Sequence, residues 1–262
     1  VVRCETCGLV YLSPRVRGDI VLEGYASAED ATFFAQNPMR IRTFARVLRG
    51  LAKEVSFGRG TRVVDVGCAG GAFVKAATDM GCEAVGVEPS AWLTERGRAA
   101  YGIDVRAGTL EDQRFPDASF DVATLWDVIE HLGSPRDTLR EIRRVVRPGG
   151  HLIVNFPDHG SLVRRAMGWS WPFFLSVHLS YFTTATMERL LDGAGFRVLS
   201  SRPFWQTLPL GYVFARAANV FSPFALANRV VEKLSLANLP FTYQLGQTLT
   251  VARLDGDRGS RP

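Results

Sequence analysis

The 262 residues carry 31 Lys and Arg against 26 Asp and Glu, a formal charge of +5, with 47% hydrophobic and 22% charged residues. That balance can bury a full core, and it excludes a disordered tail protein, a collagen-like chain and a disulfide-framed miniprotein. No run of about 18 apolar residues occurs, so no transmembrane segment is expected, and the scattered Arg excess forms no long basic block that would make nucleic acid the expected partner.

The chain starts Val1-Val2 without Met and shows no signal peptide. Near its start Cys4-Glu-Thr-Cys7-Gly8 reads as one zinc-ribbon knuckle, which supplies two of the four thiolates of a tetrahedral site. There is no second C-x-x-C, so the pair is either an incomplete zinc site or two free thiols. Cys68 and Cys82 lie in apolar segments, where reduced thiols fit a cytoplasmic protein. An amphipathic helix is expected around 39–55, with Ile41, Phe44, Leu48 and Leu51 at helical spacing. Residues 1–57 therefore read as an N-terminal appendage to a domain over 58–262.

From Thr61 short β-branched runs alternate with helical periods. Strands are expected at 62–66, 83–87, 104–107, 120–125 and 150–156, and helices at 72–80, 91–101 and 135–146. This alternation predicts an α/β fold with a doubly wound, mostly parallel sheet. A helix over 184–193, capped by Thr183 or Thr184, a strand over 196–202 and a closing strand over 247–254 complete it. Residues 206–246 read as a helical excursion between the last two strands.

The strongest motif is Val64-Asp65-Val66-Gly67-Cys68-Ala69-Gly70-Gly71, between a strand and a helix. Glycines there let a ligand approach the backbone, and the helix start offers free N–H groups. Glu88 ends the second strand, where an acidic residue can accept both ribose hydroxyls of a nucleoside. The loop is not the spaced G-x-G-x-x-G that seats a pyrophosphate. Asp65 would repel a phosphate but suits a cationic amino-acid group, which favours S-adenosylmethionine over NAD.

In these blocks the sequence resembles the class I S-adenosylmethionine-dependent methyltransferases, in particular the bacterial group of the ubiquinone-biosynthesis O-methyltransferases. Phe115–Asp121, Leu125–Leu132 and Val146–Val154 continue the resemblance, which spans about residues 57–196. It implies a seven-stranded Rossmann-like sheet, with Asp65, Gly67 and Gly70 at the methionine end and Glu88 on the ribose. It also implies that Thr109 and Leu110 flank the adenine, that Trp126 lies under the cofactor, and that segments 161–182 and 206–246 build the acceptor side. Ala69 departs from the usual glycine. Its methyl is expected to sit in an ordinary αR or β conformation at small cost.

Asp127-Val-Ile-Glu130-His131 begins at the carboxyl end of strand four, where open parallel sheets place ligands. His131 is a candidate general base for an acceptor hydroxyl, with Glu130 beside it and His178 facing the same mouth. In some relatives an acidic-x-x-Glu-His cluster binds a divalent metal, with a later His joining it. The resemblance extends this ligand set to Asp127, Glu130, His131 and His178. The expected activity is methyl transfer to a small-molecule acceptor, most naturally an oxygen. Transfer to N or C of a sugar or natural-product intermediate, and a non-catalytic cofactor-binding partner protein, stay open. Segment 206–246 is expected to serve as a lid or as a homodimer surface.

Overall fold

The computed structural model describes residues 1–218, 229–231 and 233–256. The chain opens with short strands β1 (Val2–Arg3) and β2 (Val10–Tyr11), then helices α1 (Gly18–Ala26), α2 (Ala31–Phe34) and α3 (Asn37–Leu51). Strand and helix then alternate through β3 (Arg62–Val66), α4 (Ala72–Asp79), β4 (Glu83–Glu88), α5 (Ala91–Tyr101), β5 (Asp104–Ala107), β6 (Phe120–Trp126), α6 (Pro135–Val145) and β7 (Val146–Pro157). After α7 (Leu162–Met167) and β8 (Ser180–Tyr181) come α8 (Thr184–Gly193), β9 (Phe196–Pro203), β10 (Gln206–Pro209), α9 (Leu210–Ala218), β11 (Pro240–Tyr243) and β12 (Gln247–Leu254).

Seven strands form one sheet in the order β5-β4-β3-β6-β7-β12-β9. β3 pairs parallel with both β4 and β6, and β6 pairs parallel with β7. β12 runs antiparallel between β7 and β9. The apolar runs of β3 and β6 are buried as a central parallel strand requires. The chain winds outward to one side through β4 and β5, then returns past β3 to β6. The carboxyl ends of β3 and β6 therefore border a crevice, where an open parallel sheet holds its ligand.

Each face of the sheet is covered by helices. Leu139, Ile142 and Val145 of α6 pack with Met187 and Leu191 of α8 on one side. On the other, Leu48 and Leu51 of α3 join Phe73, Ile153 and Phe204. Residues 37–55, read from sequence as part of an appendage, thus share the domain's core. β2 pairs with β8, which ties the cysteine knuckle to the segment after β7.

The excursion over 206–246 differs from the helical expectation. It begins and ends as a two-stranded antiparallel ribbon, with Gln206 opposite Tyr243 and Leu208 opposite Phe241. Thr207, Thr242, Phe241 and Tyr243 suit extended backbone, and Thr207 and Thr242 also share a 2.8 Å hydroxyl contact across the strands. Helix α9 follows the first strand. Phe221 and Phe224 of this excursion lie outside the described residues.

Candidate active site

The loop after β3 turns sharply under the end of β4. The N–H groups of Gly67 and Cys68 both bond to the Val87 carbonyl, at 2.8 and 3.0 Å. Gly67 has φ +69°, and a Cβ there would meet Val128 Cγ2 at 2.6 Å, so only glycine fits without displacement. The Glu88 carboxylate accepts the Ala69 N–H at 2.8 Å and the Ser90 N–H at 3.0 Å.

Ala69 itself is left-handed, with φ +48°. The ordinary conformation expected from the sequence is therefore corrected: the turn after β3 holds Ala69 at positive φ. For an alanine that strain costs about 1–2 kcal/mol. Ala69→Gly is expected to raise stability by roughly 0.5–1 kcal/mol, less than the strain because glycine gains entropy in the unfolded chain. A melting curve that stays put or moves down would show that the strain is relieved elsewhere.

Asp65 is buried near the end of β3, and its Oδ1 accepts the Thr124 hydroxyl at 2.6 Å. Burial pushes its carboxyl up to about 8; the Thr124 hydrogen bond lowers it in part and the Glu88 charge adds to the rise.

A cleft of about 570 Å³, open to solvent, starts at this loop. Asp65, Gly67, Ala69 and Phe73 line one side, and Trp126 and Asp127 follow at the end of β6. Phe33, Arg40 and Phe44 from the N-terminal helices close it, with Phe204 and Gln206 from the segment after β9. Trp126 stands among Phe44, Phe73 and Phe204, with ring centroids 4.9–5.7 Å away. Its Nε1 is buried without a partner. Gly70 is not among the lining residues: α2 and α3 fold over it, and Asn37 Nδ2 donates to its carbonyl at 3.0 Å.

A second cluster lies at the turn following β6. The ligand atoms of Glu130, His131 and His178 all lie within 4.8 Å of one another. His131 Nδ1 is 3.0 Å from the Val177 carbonyl and 2.9 Å from the Tyr25 hydroxyl. A carbonyl can only accept, so Nδ1 carries the proton and Nε2 keeps its lone pair, 4.0 Å from Glu130 Oε1. Both Glu130 oxygens and His178 Nδ1 are buried without partners. Burial, and then the nearby Asp127, push the Glu130 carboxyl well above the usual range. Burial lowers His131, and burial together with His131 lowers His178 to about 3.

Asp127 is not in this group, which corrects the four-residue set expected from the sequence. Its backbone is left-handed, φ +55°, and its Oδ1 accepts from Asn155 Nδ2 at 2.8 Å and Gln247 Nε2 at 2.6 Å. It faces the cleft, whereas Glu130, His131 and His178 do not line it.

Residues 38–201 match the methyltransferase domain family. The chain belongs to the class I S-adenosylmethionine-dependent methyltransferases. It is 32% identical over 180 residues to the O-methyltransferase resE of Aspergillus sclerotiorum, covering 63% of this chain and 65% of that one. To the ubiquinone biosynthesis O-methyltransferase of Alkalilimnicola ehrlichii it is 31% identical over 125 residues, 45% and 48% of the two chains. It spans about half to two thirds of the length of such relatives. An S-adenosylmethionine-dependent methyltransferase structure from Archaeoglobus fulgidus superposes with a TM-score of 0.57 at 18% identity, covering 86% of this chain and all of that one, a likeness of fold. No helix among the described residues is long and apolar enough to cross a membrane.

The residues of this methyltransferase fit the zwitterionic end of the methyl donor. Sequence reasoning missed Arg40 and Asn37. Arg40 lines the cleft with its guanidinium 4.1 Å above the Phe33 ring and its Nε buried without a partner. An unpartnered donor there suits a carboxylate. Pro38 early in α3 signals a helix start but not that the helix folds back onto the glycine loop. The residues expected at the adenine are less open. Leu110 is packed into the core, and the Thr109 N–H and hydroxyl both bond Asp112 Oδ2. Neither they nor Glu88 line the cleft.

At the knuckle, the Gly8 N–H bonds the Cys4 carbonyl at 2.8 Å, with Gly8 at φ +74°. Hydrogen bonding from Cys7 lowers the Cys4 thiol. Cys4 and Cys7 belong to no group of three metal ligands among the described residues. Asp158 and His159, just after β7, are used structurally. Asp158 accepts from Gly160, Thr184 and Thr248, and His159 packs on Phe174 and Tyr181.

Proposed function

We propose that this protein transfers the methyl group of S-adenosylmethionine to an oxygen of a small-molecule acceptor. The observation that carries the reading is the cleft, which joins the glycine loop directly to a polar floor at Asp127 and Asn155. The O-methyltransferase names of its relatives support oxygen as the accepting atom. A sulfonium methyl is already activated, so the protein's task is alignment and exclusion of water. In this reading Arg40 binds the donor's carboxylate and Asp65 lies beside its ammonium. Glu88 still has acceptor capacity for ribose hydroxyls. The rings of Phe44, Trp126 and Phe204 hold a planar acceptor against the methyl.

Glu130, His131 and His178 fit a divalent metal. A buried carboxyl and an imidazole nitrogen without partners are the donor atoms such an ion would satisfy, and two imidazoles with one carboxylate suit Zn²⁺ or Mn²⁺. When bound, the ion would supply Lewis acidity at the turn after β6, behind the residues that line the cleft. Val177 and Tyr25 hold the His131 ring so that Nε2 faces the cluster.

Calorimetry with the demethylated product should show Glu88→Ala weakening binding by roughly 1–3 kcal/mol, the cost of unpaired buried partners. Unchanged affinity would remove Glu88 from the ribose site. Labelled donor offered with hydroxylated aromatic compounds should yield labelled ether. Binding of the donor with no transfer to any of them would favour a cofactor-binding partner protein instead.

A further inference from the structure

Residues 18–36, which precede the stretch that matches the methyltransferase family, cross the ends of β4 and β6 as a strap. The strap starts on the turn after β6: a Cβ on Gly18 would meet the Gly133 Cα at 2.8 Å. From α1 the Tyr25 hydroxyl reaches His131 Nδ1 at 2.9 Å, with the two rings edge to face at 5.3 Å. The turn after α1 covers the end of β4, where the Ala28 carbonyl accepts the hydroxyl of the buried Ser90 at 2.8 Å. Phe34 of α2 then lies over Gly70 and against Trp92 and Tyr101 of α5. The strap thus covers the place where a nucleoside must reach Glu88. Glu88 is itself buried, both its oxygens hold backbone N–H groups, and it does not line the open cleft. Little holds the strap down: neither α1 nor α2 has a buried residue, and Ile20 and Leu22 of α1 are exposed. Few buried apolar contacts place a segment at the low-stability end of a fold.

We infer that this strap is a gate over the nucleoside end of the donor site, latched by Tyr25 on His131, which opens for the donor to enter and for its demethylated product to leave. The inference rests on the methyltransferase reading above and adds the route by which its donor is exchanged. The open cleft leads to Asp65, Gly67 and Ala69 but not to Glu88, so the nucleoside has no way in past a closed strap. Tyr25 suits the latch. Burial, then the charges of Glu130 and Glu88, push its hydroxyl up to about 12, so it stays a neutral hydrogen-bond partner near pH 7. The Val177 carbonyl keeps its own contact with His131 Nδ1, so the latch can break while the imidazole stays held. The latch closes over the free and the donor-bound site alike. Weakening it therefore speeds entry and exit together and leaves the balance between them in place.

Tyr25→Phe is the informative substitution, since it keeps the ring and removes only the hydroxyl. The probe is the demethylated donor, followed by stopped-flow tryptophan fluorescence. Association and dissociation should both be about three- to tenfold faster than in wild type, the range for one hydrogen bond, with affinity within about twofold. Unchanged rates overturn the latch. So does faster dissociation alone with a matching loss of affinity, which would make the Tyr25 hydroxyl a direct contact of the donor. Amide hydrogen exchange on wild type tests the gate without any variant. Residues 18–36 should exchange together, at least about tenfold faster than helix α4 with its buried Phe73 and Val74, and should slow when the demethylated donor is added. Protection of 18–36 equal to that of α4, or exchange that the demethylated donor leaves unchanged, overturns the gate. Failure of the parent reading looks different: wild type would then not bind the demethylated donor at all, and the gate would fall with its site.

Discussion

Asp65→Asn is expected to flatten the pH dependence of stability of the donor-free protein and to weaken donor binding together. In the wild type Asp65 is pushed up to about 8 by burial, against 3.8 for an ordinary aspartate. The native state therefore holds a proton over that window which the unfolded chain releases. Stability falls as pH rises from near 4 to near 8, and then levels off. Each unit is worth about 1.4 kcal/mol, so the penalty reaches on the order of 4 kcal/mol near neutrality. Glu88 and Glu130 are raised by burial too and act in the same direction. Asparagine does not titrate, so its variant should lose the Asp65 share of the slope. A cation beside Asp65 reverses the sign of the effect: the donor's ammonium favours the ionised carboxylate, so donor binding should stabilise wild type more at pH 8 than at pH 5. Denaturant unfolding at both pH values, with and without the demethylated donor, checks both statements. Parallel pH profiles for wild type and Asp65→Asn would show that this carboxyl ionises freely in the folded protein.

The parts of this site that were legible in the sequence are those built from neighbours along the chain. The β-branched runs of β3 and β6, the glycine loop and Glu88 sit in one local frame, and local spacing encodes them. Thr183 likewise announces α8: its hydroxyl caps Thr186 N–H while Thr186 Oγ1 accepts the Thr183 N–H. The cluster at 130–131 was visible as a polar run at a strand end. What escaped depends on distant partners or on backbone sign. Gln247 reaches Asp127 across 120 residues, and nothing near either marks the pair. Arg40 became a cleft residue only because α3 folds over Gly70. Ala69 and Asp127 both have positive φ, a backbone sign that side-chain pattern does not reveal. The 206–246 excursion misled because its apolar content suits a helix as well as a ribbon, and only the pairing of β10 with β11 decides.

The cluster of Glu130, His131 and His178 carries the largest expected effect on turnover. Without an ion, burial and then Asp127 oppose the charge of the Glu130 carboxyl, which therefore keeps its proton to higher pH than an ordinary carboxyl does. His131 and His178 are neutral near pH 7, since burial lowers both. Uptake of Mn²⁺ or Zn²⁺ should then release protons from Glu130 and not from the imidazoles. Calorimetry in buffers of different ionisation enthalpy reads that release directly. Glu130→Gln should bind the ion far more weakly and release none, and His178→Ala should weaken it as well. His131→Gln should cut turnover about 10²–10⁴-fold whether the ring serves as ligand or as general base. Chelator separates those two roles: a metal-dependent enzyme stops and resumes with Mn²⁺, whereas a base-only enzyme is indifferent. Tyr25→Phe tests the support of the ring. It removes one of the two contacts at Nδ1 and leaves Val177, so it should lower turnover less than His131→Gln does. If wild type takes up neither ion, ignores chelator and loses nothing in His131→Gln, the three side chains only hold the turn after β6. The acceptor's own acidity must then release its proton.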